Sequence, residues 1–392
     1  MKKYLAIVLS AVFVLGLAAT AFAVMAEIPA ETQAAVAKGT TQVTLGGEAR
    51  VRAISKDDYD FNGTTDDSTA YYDQRVRLML DAKTADGVEV KTRLTISEGQ
   101  WNGATQTGGN PSTDYAYISF PVQKFRFDVG RQMADFGNKF MVWQAPKDRL
   151  KVTTKIGDSL VGFFTDKNTE TGVLDNDSDS YALLAKGKAG ELEVGGMLIY
   201  QTNKATDKNG QTLDLYTKGS VAGLNLDAEL TYKGGEINEK INTKGDKVDP
   251  LGFYAHVAKP MGPLTVGALL GYAKNFTADN DFAPTLFFGT SQITAMADFG
   301  GGGSDTTTAI GAGASYKVTE AITGSGKLVY AMFDIAAAGV KDPTLIEIDL
   351  GMKYQLAKSL SYNLDFGYGI PSDATTTDDA AVVLAHRIEI TF

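Results

Sequence analysis

Residues 224–233 read LNLDAELTYK, and they decide the fold because apolar and polar side chains alternate through them without interruption. One parity carries Leu224, Leu226, Ala228, Leu230 and Tyr232, and the other carries Asn225, Asp227, Glu229, Thr231 and Lys233. A period of two places these sets on opposite faces of a β-strand. The segment therefore predicts a strand with one apolar face and one wet face.

The same alternation recurs along most of the chain. Residues 360–370, LSYNLDFGYGI, and residues 75–83, RVRLMLDAK, repeat it. Such segments run for roughly 9 to 13 residues, which exceeds the usual length of a globular strand and matches a tilted strand that crosses a bilayer. The alternation predicts about 16–18 strands, with eighteen as the direct count.

The connections between the predicted strands alternate between long and short. Residues 55–70 and 99–112 are long connections, whereas residues 84–87 and 122–123 are short ones. A β-sandwich or a β-helix does not require this alternation, but an outer-membrane barrel does, with short periplasmic turns and long external loops. We therefore predict an all-β fold, a transmembrane antiparallel up-and-down β-barrel over residues 41–392.

Composition excludes several classes of function. The chain has 392 residues, a formal charge of −10, no cysteine and two histidines, His256 and His386. The acidity argues against a nucleic-acid partner. The lack of cysteine removes disulfides and zinc–thiolate sites, and two histidines leave little for a metal centre or a Ser-His-Asp triad. We expect neither an enzyme nor a cofactor.

The N-terminus reads as an export signal. A basic start is followed by an uncharged apolar run over residues 4–17 and by small residues that end at Ala23. This order is typical of a signal peptide, and the run is shorter than the roughly 20 residues of a spanning helix. We predict a signal peptide over residues 1–23 and, over residues 24–40, a segment that lies either in the periplasm or in the lumen. The expected location is the outer membrane of a Gram-negative bacterium.

Charged residues on the predicted strands should face the lumen, because a charge on the lipid face costs several kcal/mol. A barrel of this size is too wide for side chains to fill, so the lumen should hold water. Eight of the nine arginines lie between residues 50 and 149, and all of these except Arg131 have lumen parity. The predicted pore-lining residues are Arg50, Arg52, Arg75, Arg77, Lys91, Arg93, Arg126, Arg131 and Arg149.

Two interpretations of the arginines remain open, and they are not exclusive. In the first, a basic wall holds solute anions and sets a field across the pore. In the second, cross-strand ion pairs tie the barrel together. The carboxylates available for such pairs are Glu48, Asp73, Asp81 and Glu89.

A family resemblance covers residues 70–140. Residues 74–78, QRVRL, followed by residues 88–98, resemble the second and third strands of general bacterial porins. Residues 116–120, AYISF, followed by residues 125–132, resemble the fourth and fifth strands, where a Gly-Arg step precedes the loop that folds into the pore.

The resemblance implies a constriction loop and an assembly signal. Arg75 and Arg131 match the basic wall of the constriction, although Arg131 needs a β-bulge to turn inward. The constriction loop lies within residues 133–148 and includes Asp135, Phe136, Lys139, Trp143 and Asp148. The terminal Phe392 resembles the signature that the barrel-assembly machinery reads. A homotrimer is also implied, surrounded by outer-membrane lipid and lipopolysaccharide.

The predicted function is that of a porin through which small hydrophilic solutes and ions diffuse passively, filtered by pore size and charge. An alternative is a barrel that serves as a sheath or scaffold for a partner protein, such as a component of a redox conduit. Conduction by the purified chain in a planar bilayer separates the two. A third class, an outer-membrane lipase, needs a Ser-His pair near the bilayer edge.

Overall fold

The computed structural model describes most of the chain after residue 40. The described residues are 41–58, 68–101, 111–142, 144–170, 176–242, 245–279, 282, 284–286, 306–334, 342–373 and 379–392. The predicted signal peptide, the segment 24–40 and Trp143 lie outside them. Within these ranges no helix is long and apolar enough to cross a membrane.

The described ranges contain twenty strands. They are β1 (Gln42–Asp57), β2 (Thr69–Lys83), β3 (Glu89–Gln100), β4 (Ser112–Val122), β5 (Phe125–Ala134), β6 (Ala145–Ile156), β7 (Ser159–Thr169), β8 (Ser178–Ala189), β9 (Leu192–Asn203), β10 (Lys208–Val221), β11 (Leu224–Gly234), β12 (Lys240–Ile241), β13 (Lys247–Val248), β14 (Leu251–Met261), β15 (Leu264–Lys274), β16 (Thr306–Lys317), β17 (Ile322–Asp334), β18 (Thr344–Ala357), β19 (Leu360–Ser372) and β20 (Ala381–Thr391).

Eighteen of these strands form one closed antiparallel barrel. Consecutive barrel strands pair with each other, and β1 pairs with both β2 and β20. Closure removes the open sheet edges that a bilayer would not tolerate. The remaining two strands, β12 and β13, form a separate hairpin in the connection from β11 to β14. The predicted barrel and its count of eighteen strands are confirmed.

The alternation of connections is present with one exception. Residues 123–124 and 157–158 are short turns at one end, whereas residues 235–250 and 275–305 are long connections at the other. The exception is the connection over residues 204–207. It is short because β9 runs to Asn203 and pairs with β10 from Lys208 onward.

The two faces of the barrel differ in the expected direction. The outward face exposes large apolar side chains, including Leu80, Val90, Leu183, Leu198 and Leu350. Cross-strand neighbours of opposite charge, such as Arg52 and Asp73, share the inward parity. Lipid selects the apolar face and water the charged one.

Part of the inward face is apolar as well. Phe140, Phe276 and Phe282, which lie between strands, are buried together with inward residues of β14 to β20. The inward members of this cluster are Tyr254, Ala273, Ala309, Val329, Ala331, Leu345, Ala381 and Val383. Two connections between strands therefore fold into the barrel and cover this sector of its wall.

Candidate pore and constriction

The first of these connections, residues 135–144, is called the inner loop. It leaves β5 and reaches the wall at β10 and β11. The Glu229 carboxylate accepts hydrogen bonds from the backbone N–H of Asn138 and, at 2.8 Å, of Met141. The Asn138 side chain donates to the carbonyl oxygens of Thr217 at 3.1 Å and Ala228 at 2.8 Å. The segment predicted as the constriction loop therefore crosses the lumen.

A glycine makes this contact possible. Gly137 has a φ of +59°, a conformation that side chains rarely adopt. A Cβ at this position would lie 2.5 Å from Glu229 Oε2 and 3.2 Å from the Cβ of Tyr216. The loop backbone approaches the wall more closely than any side chain would allow.

Phe140 joins the inner loop to the second connection. Its ring centroid lies 5.0 Å from that of Phe276 and 5.0 Å from that of Phe282. Its carbonyl oxygen accepts a hydrogen bond of 2.9 Å from the N–H of Asp279. The two connections thus support each other inside the barrel.

The described part of the second connection, within residues 275–286, is called the second loop. Thr285 donates its hydroxyl hydrogen to Glu347 at 2.9 Å, and the N–H of Leu286 donates to Asp349 at 3.2 Å. The Lys327 ammonium donates to the Pro284 carbonyl oxygen at 2.5 Å. The second loop is therefore fixed to β17 and β18, where it adjoins two cavities of about 290 and 260 Å³. A larger open volume lies on the other side of the inner loop.

That volume is a cavity of about 510 Å³ between the inner loop and β5 to β11. Positively charged side chains dominate its lining. The cations are Lys139, Lys147, Arg149, Lys151, Lys186, Lys218 and Lys233, and the carboxylates are Asp135, Asp166 and Glu193. We call this space the lysine cavity. Three of the cations, Arg149, Lys151 and Lys218, form ion pairs with Asp166, Asp128 and Glu193. With seven cations against three carboxylates in its lining, the cavity still carries an excess of positive charge.

One side of the lysine cavity is apolar. Phe164 and Met197 are buried there, with Phe136 and Met141 of the inner loop packed against them. The Arg149 guanidinium lies over the Phe164 ring, 3.7 Å from its centroid. The cavity lining therefore has cationic side chains on one side and an apolar surface on the other.

The predicted arginines of β1 to β5 also face the lumen, and we call them the arginine sector: Arg50, Arg52, Arg75, Arg77, Arg93 and Arg126. Ion pairs hold most of them. Arg52 pairs with Asp73 at 2.5 Å, and Glu48 contacts both Arg75 at 3.0 Å and Arg77 at 3.2 Å. They lie on the inward face, and the second interpretation, cross-strand pairing, describes most of their contacts. Their role in lining the pore stays a prediction.

Further carboxylates complete this network. Asp114 lies 3.2 Å from Arg77 and 2.7 Å from Arg93, while Glu89 lies 2.9 Å from Arg126. Lys91, also predicted to line the pore, lies 3.4 Å from Glu89. Positive charge in this sector is therefore largely matched by negative charge.

Asp114 was not among the carboxylates predicted to pair with the arginines. Parity alone places it outward, because Tyr115 faces the lumen. A shift in the β3–β4 register lets Arg93 pair with Tyr115 and Leu94 with Thr113, which leaves Asp114 as the extra residue of a bulge. Such a bulge turns a side chain to the other face.

Of the cavity lysines, only Lys139 was among the predicted site residues. The signal was available, because Lys147 and Lys151 share the inward parity of Arg149. The prediction weighted the uneven distribution of arginine and passed over lysine, which is spread evenly along the chain.

Arg131 and Asp148 require a correction. The register between β4 and β5 is regular, as is that between β5 and β6, so no bulge turns Arg131 inward. It shares its outward parity with exposed Val129, and Asp148 shares its parity with exposed Leu150. The two charged side chains pair with each other at 3.2 Å on the outer face. Their assignment to the pore is wrong.

The other predicted loop residues lie at the cavity. Asp135 accepts the N–H of Gln144 at 2.6 Å and so closes the inner loop. The Phe136 ring packs edge-on against Tyr216, with centroids 5.1 Å apart. Lys139 lines the cavity. Phe392 follows β20 and is exposed.

Comparison with known proteins gives a family match. The model of a Gram-negative porin family matches residues 11–374. We found no curated protein with significant sequence similarity to the chain.

Solved structures share the barrel at low sequence identity. OccK8 (OprE) of Pseudomonas aeruginosa matches with a TM-score of 0.60 and 12% identity, over 89% of this chain and 98% of that chain. A BenF-like porin from Pseudomonas fluorescens Pf-5 matches with a TM-score of 0.58 and 11% identity, over 89% and 98%. OccAB3 of Acinetobacter baumannii matches with a TM-score of 0.56 and 12% identity, over 89% and 99%. At these identities the likeness shows a common fold.

Proposed function

Because the chain belongs to the Gram-negative porin family, and is therefore an outer-membrane channel for passive diffusion and not an enzyme, we propose that the lysine cavity selects its solutes by charge. The single observation that carries this proposal is the lining of the cavity, with seven cations and three carboxylates. Small hydrophilic anions are the solutes that this lining favours.

The position of the cavity supports the proposal. The inner loop bounds one side of it, and the second loop with its apolar cluster covers the wall beyond. Solutes that move along β5 to β11 then pass within reach of the lysines. Because a narrow path with low-dielectric walls strengthens the local field, cations along it raise the local concentration of anions.

The arginine sector has a different proposed role. Most of its inward charges are paired with carboxylates, so they contribute less net charge to the path. We propose that Arg50, Arg52, Arg75, Arg77, Arg93 and Arg126, together with Lys91, line the lumen mainly as a brace that holds β1 to β5 in register.

The reversal potential in a salt gradient tests the charge selection. The purified chain in a planar bilayer should conduct and should favour chloride over potassium. Lys147→Gln with Lys186→Gln should lower the anion-to-cation permeability ratio by roughly fivefold per site, since a unit charge about 4 Å from an ion in water contributes about 1 kcal/mol. An unchanged ratio contradicts the role of the cavity, and a silent channel favours the sheath alternative.

Assembly and export complete the proposal. From the resemblance we propose a homotrimer, recognition of Phe392 by the barrel-assembly machinery, and cleavage of the signal peptide after Ala23. Native mass measurement in detergent tests the trimer, and deletion of Phe392 should reduce the folded protein in the outer membrane. N-terminal sequencing of the exported protein should begin at Val24.

A further inference from the structure

Three backbone N–H groups of the inner loop converge on one carboxylate. Those of Asn138, Phe140 and Met141 all donate to Glu229 of β11. The side chain of Glu229 is 1% exposed. A buried carboxyl group that loses its hydrogen-bond donors carries an uncompensated desolvation cost.

No lysine or arginine of the described residues forms an ion pair with Glu229. Its cross-strand partner on β10 is Tyr216, and the nearby Asp214, which is paired with Thr231, is itself buried and accepts a hydrogen bond of 2.6 Å from the Thr231 hydroxyl. A buried carboxylate without a cation depends on its hydrogen-bond donors. Glu229 therefore depends on the inner loop, and the loop N–H groups depend on Glu229.

We propose that Glu229 is the positioning residue of the inner loop, the group that holds the loop at its place in the lumen. The inference rests on the proposed constriction in that the loop bounds the lysine cavity. The contact is directional, because it fixes three backbone donors of the inner loop at one point. The apolar packing of Phe140 at the other side of the loop imposes no such direction.

Hydrogen exchange of the inner loop tests the proposal in the full-length protein. In Glu229→Gln, which replaces one acceptor oxygen by an amide nitrogen, the amides of residues 135–144 should exchange about tenfold faster, the equivalent of one lost hydrogen bond. The matched control is Asp227→Asn, which removes the same charge from the same face of β11, where the nearest described partner is His256 at 3.9 Å. The control should leave loop exchange unchanged.

A second variant attacks the same contact from the loop. Gly137→Ala places a methyl group 2.5 Å from Glu229 Oε2, which is too close for a van der Waals contact. The substitution leaves the sequence of β11 unchanged. It should accelerate exchange in the same peptide, so the test stands even where Glu229→Gln fails to fold. Loop exchange at the rate of the unsubstituted protein in both variants overturns the proposal.

Single-channel recording separates this proposal from the proposed function. If the inner loop narrows the pore, loosening it in Glu229→Gln should make the single-channel conductance fluctuate. The conductance of Asp227→Asn should stay steady. Faster exchange with an unchanged conductance supports the positioning role of Glu229 and contradicts the constriction.

Discussion

The arginine sector and the lysine cavity lie on the same inner wall, yet they differ in how their charges are matched. In the sector, Glu48, Asp73, Glu89 and Asp114 hold the guanidinium groups at ion-pair distance. In the cavity, cations outnumber carboxylates by seven to three. Inward charge alone therefore does not predict ion selectivity. The net charge along the path depends on which carboxylates lie within reach of each cation.

Each of the two regions contains one bidentate ion pair between an arginine and an aspartate. Arg52 contacts Asp73 through Nε at 2.9 Å and Nη2 at 2.5 Å, and Arg149 contacts Asp166 through Nε at 2.5 Å and Nη2 at 2.8 Å. The pairs are alike in chemistry, but only the second borders the lysine cavity. Substitutions at equivalent positions therefore separate bracing from selection.

The largest effect on stability is expected at Asp114. Asp114→Asn removes the carboxylate between Arg77 and Arg93 and leaves both cations poorly matched. We expect a loss of roughly 3 kcal/mol in the free energy of unfolding, the low end for a broken buried ion pair, because Glu48 still contacts Arg77. Urea unfolding in detergent measures it. A loss below about 1 kcal/mol, the range of a surface pair, contradicts the bracing role.

A change of selectivity is expected at Asp166. Asp166→Asn releases the charge of Arg149 into the lysine cavity and should raise the anion-to-cation permeability ratio by roughly fivefold. Reversal potentials measure the ratio. The matched control is Asp73→Asn, which frees Arg52 in the arginine sector and should change the ratio less. Equal changes of the permeability ratio in both variants would show that the lysine cavity and the arginine sector contribute alike to selectivity, against the proposal.

Much of the fold was predictable because it depends on a local period. Alternation such as that over residues 224–233 fixes strand, face and length, and eighteen such segments with alternating connections imply closure. Inward placement of Arg75 and Arg77 follows from the same parity. The bulge at Asp114 does not, because a register shift depends on the partner strand.

The constriction was predictable only in part. The resemblance located the inner loop, but its contact with Glu229 joins residues 88 and 91 positions apart, and no local pattern encodes that pairing. The apolar inner sector was hidden for the same reason. Ala309 and Ala331 are compatible with a wet wall, but they are buried in one cluster with Phe140, Phe276 and Phe282 from distant connections.

The smallest effect is expected at the outward pair of Arg131 and Asp148. Asp148 and Arg149 are consecutive but point to opposite faces of the barrel wall. Substitutions at the two positions therefore show which face controls the permeability ratio. The outward side chains are 40% and 61% exposed, and an exposed pair contributes at most about 1 kcal/mol. Arg131→Gln with Asp148→Asn should leave the permeability ratio unchanged in the reversal-potential measurement, whereas Arg149→Gln should lower it. A shift in the outward double variant would return Arg131 to the pore, and because the β4–β5 register is regular, that result would require the strand to slip by one residue.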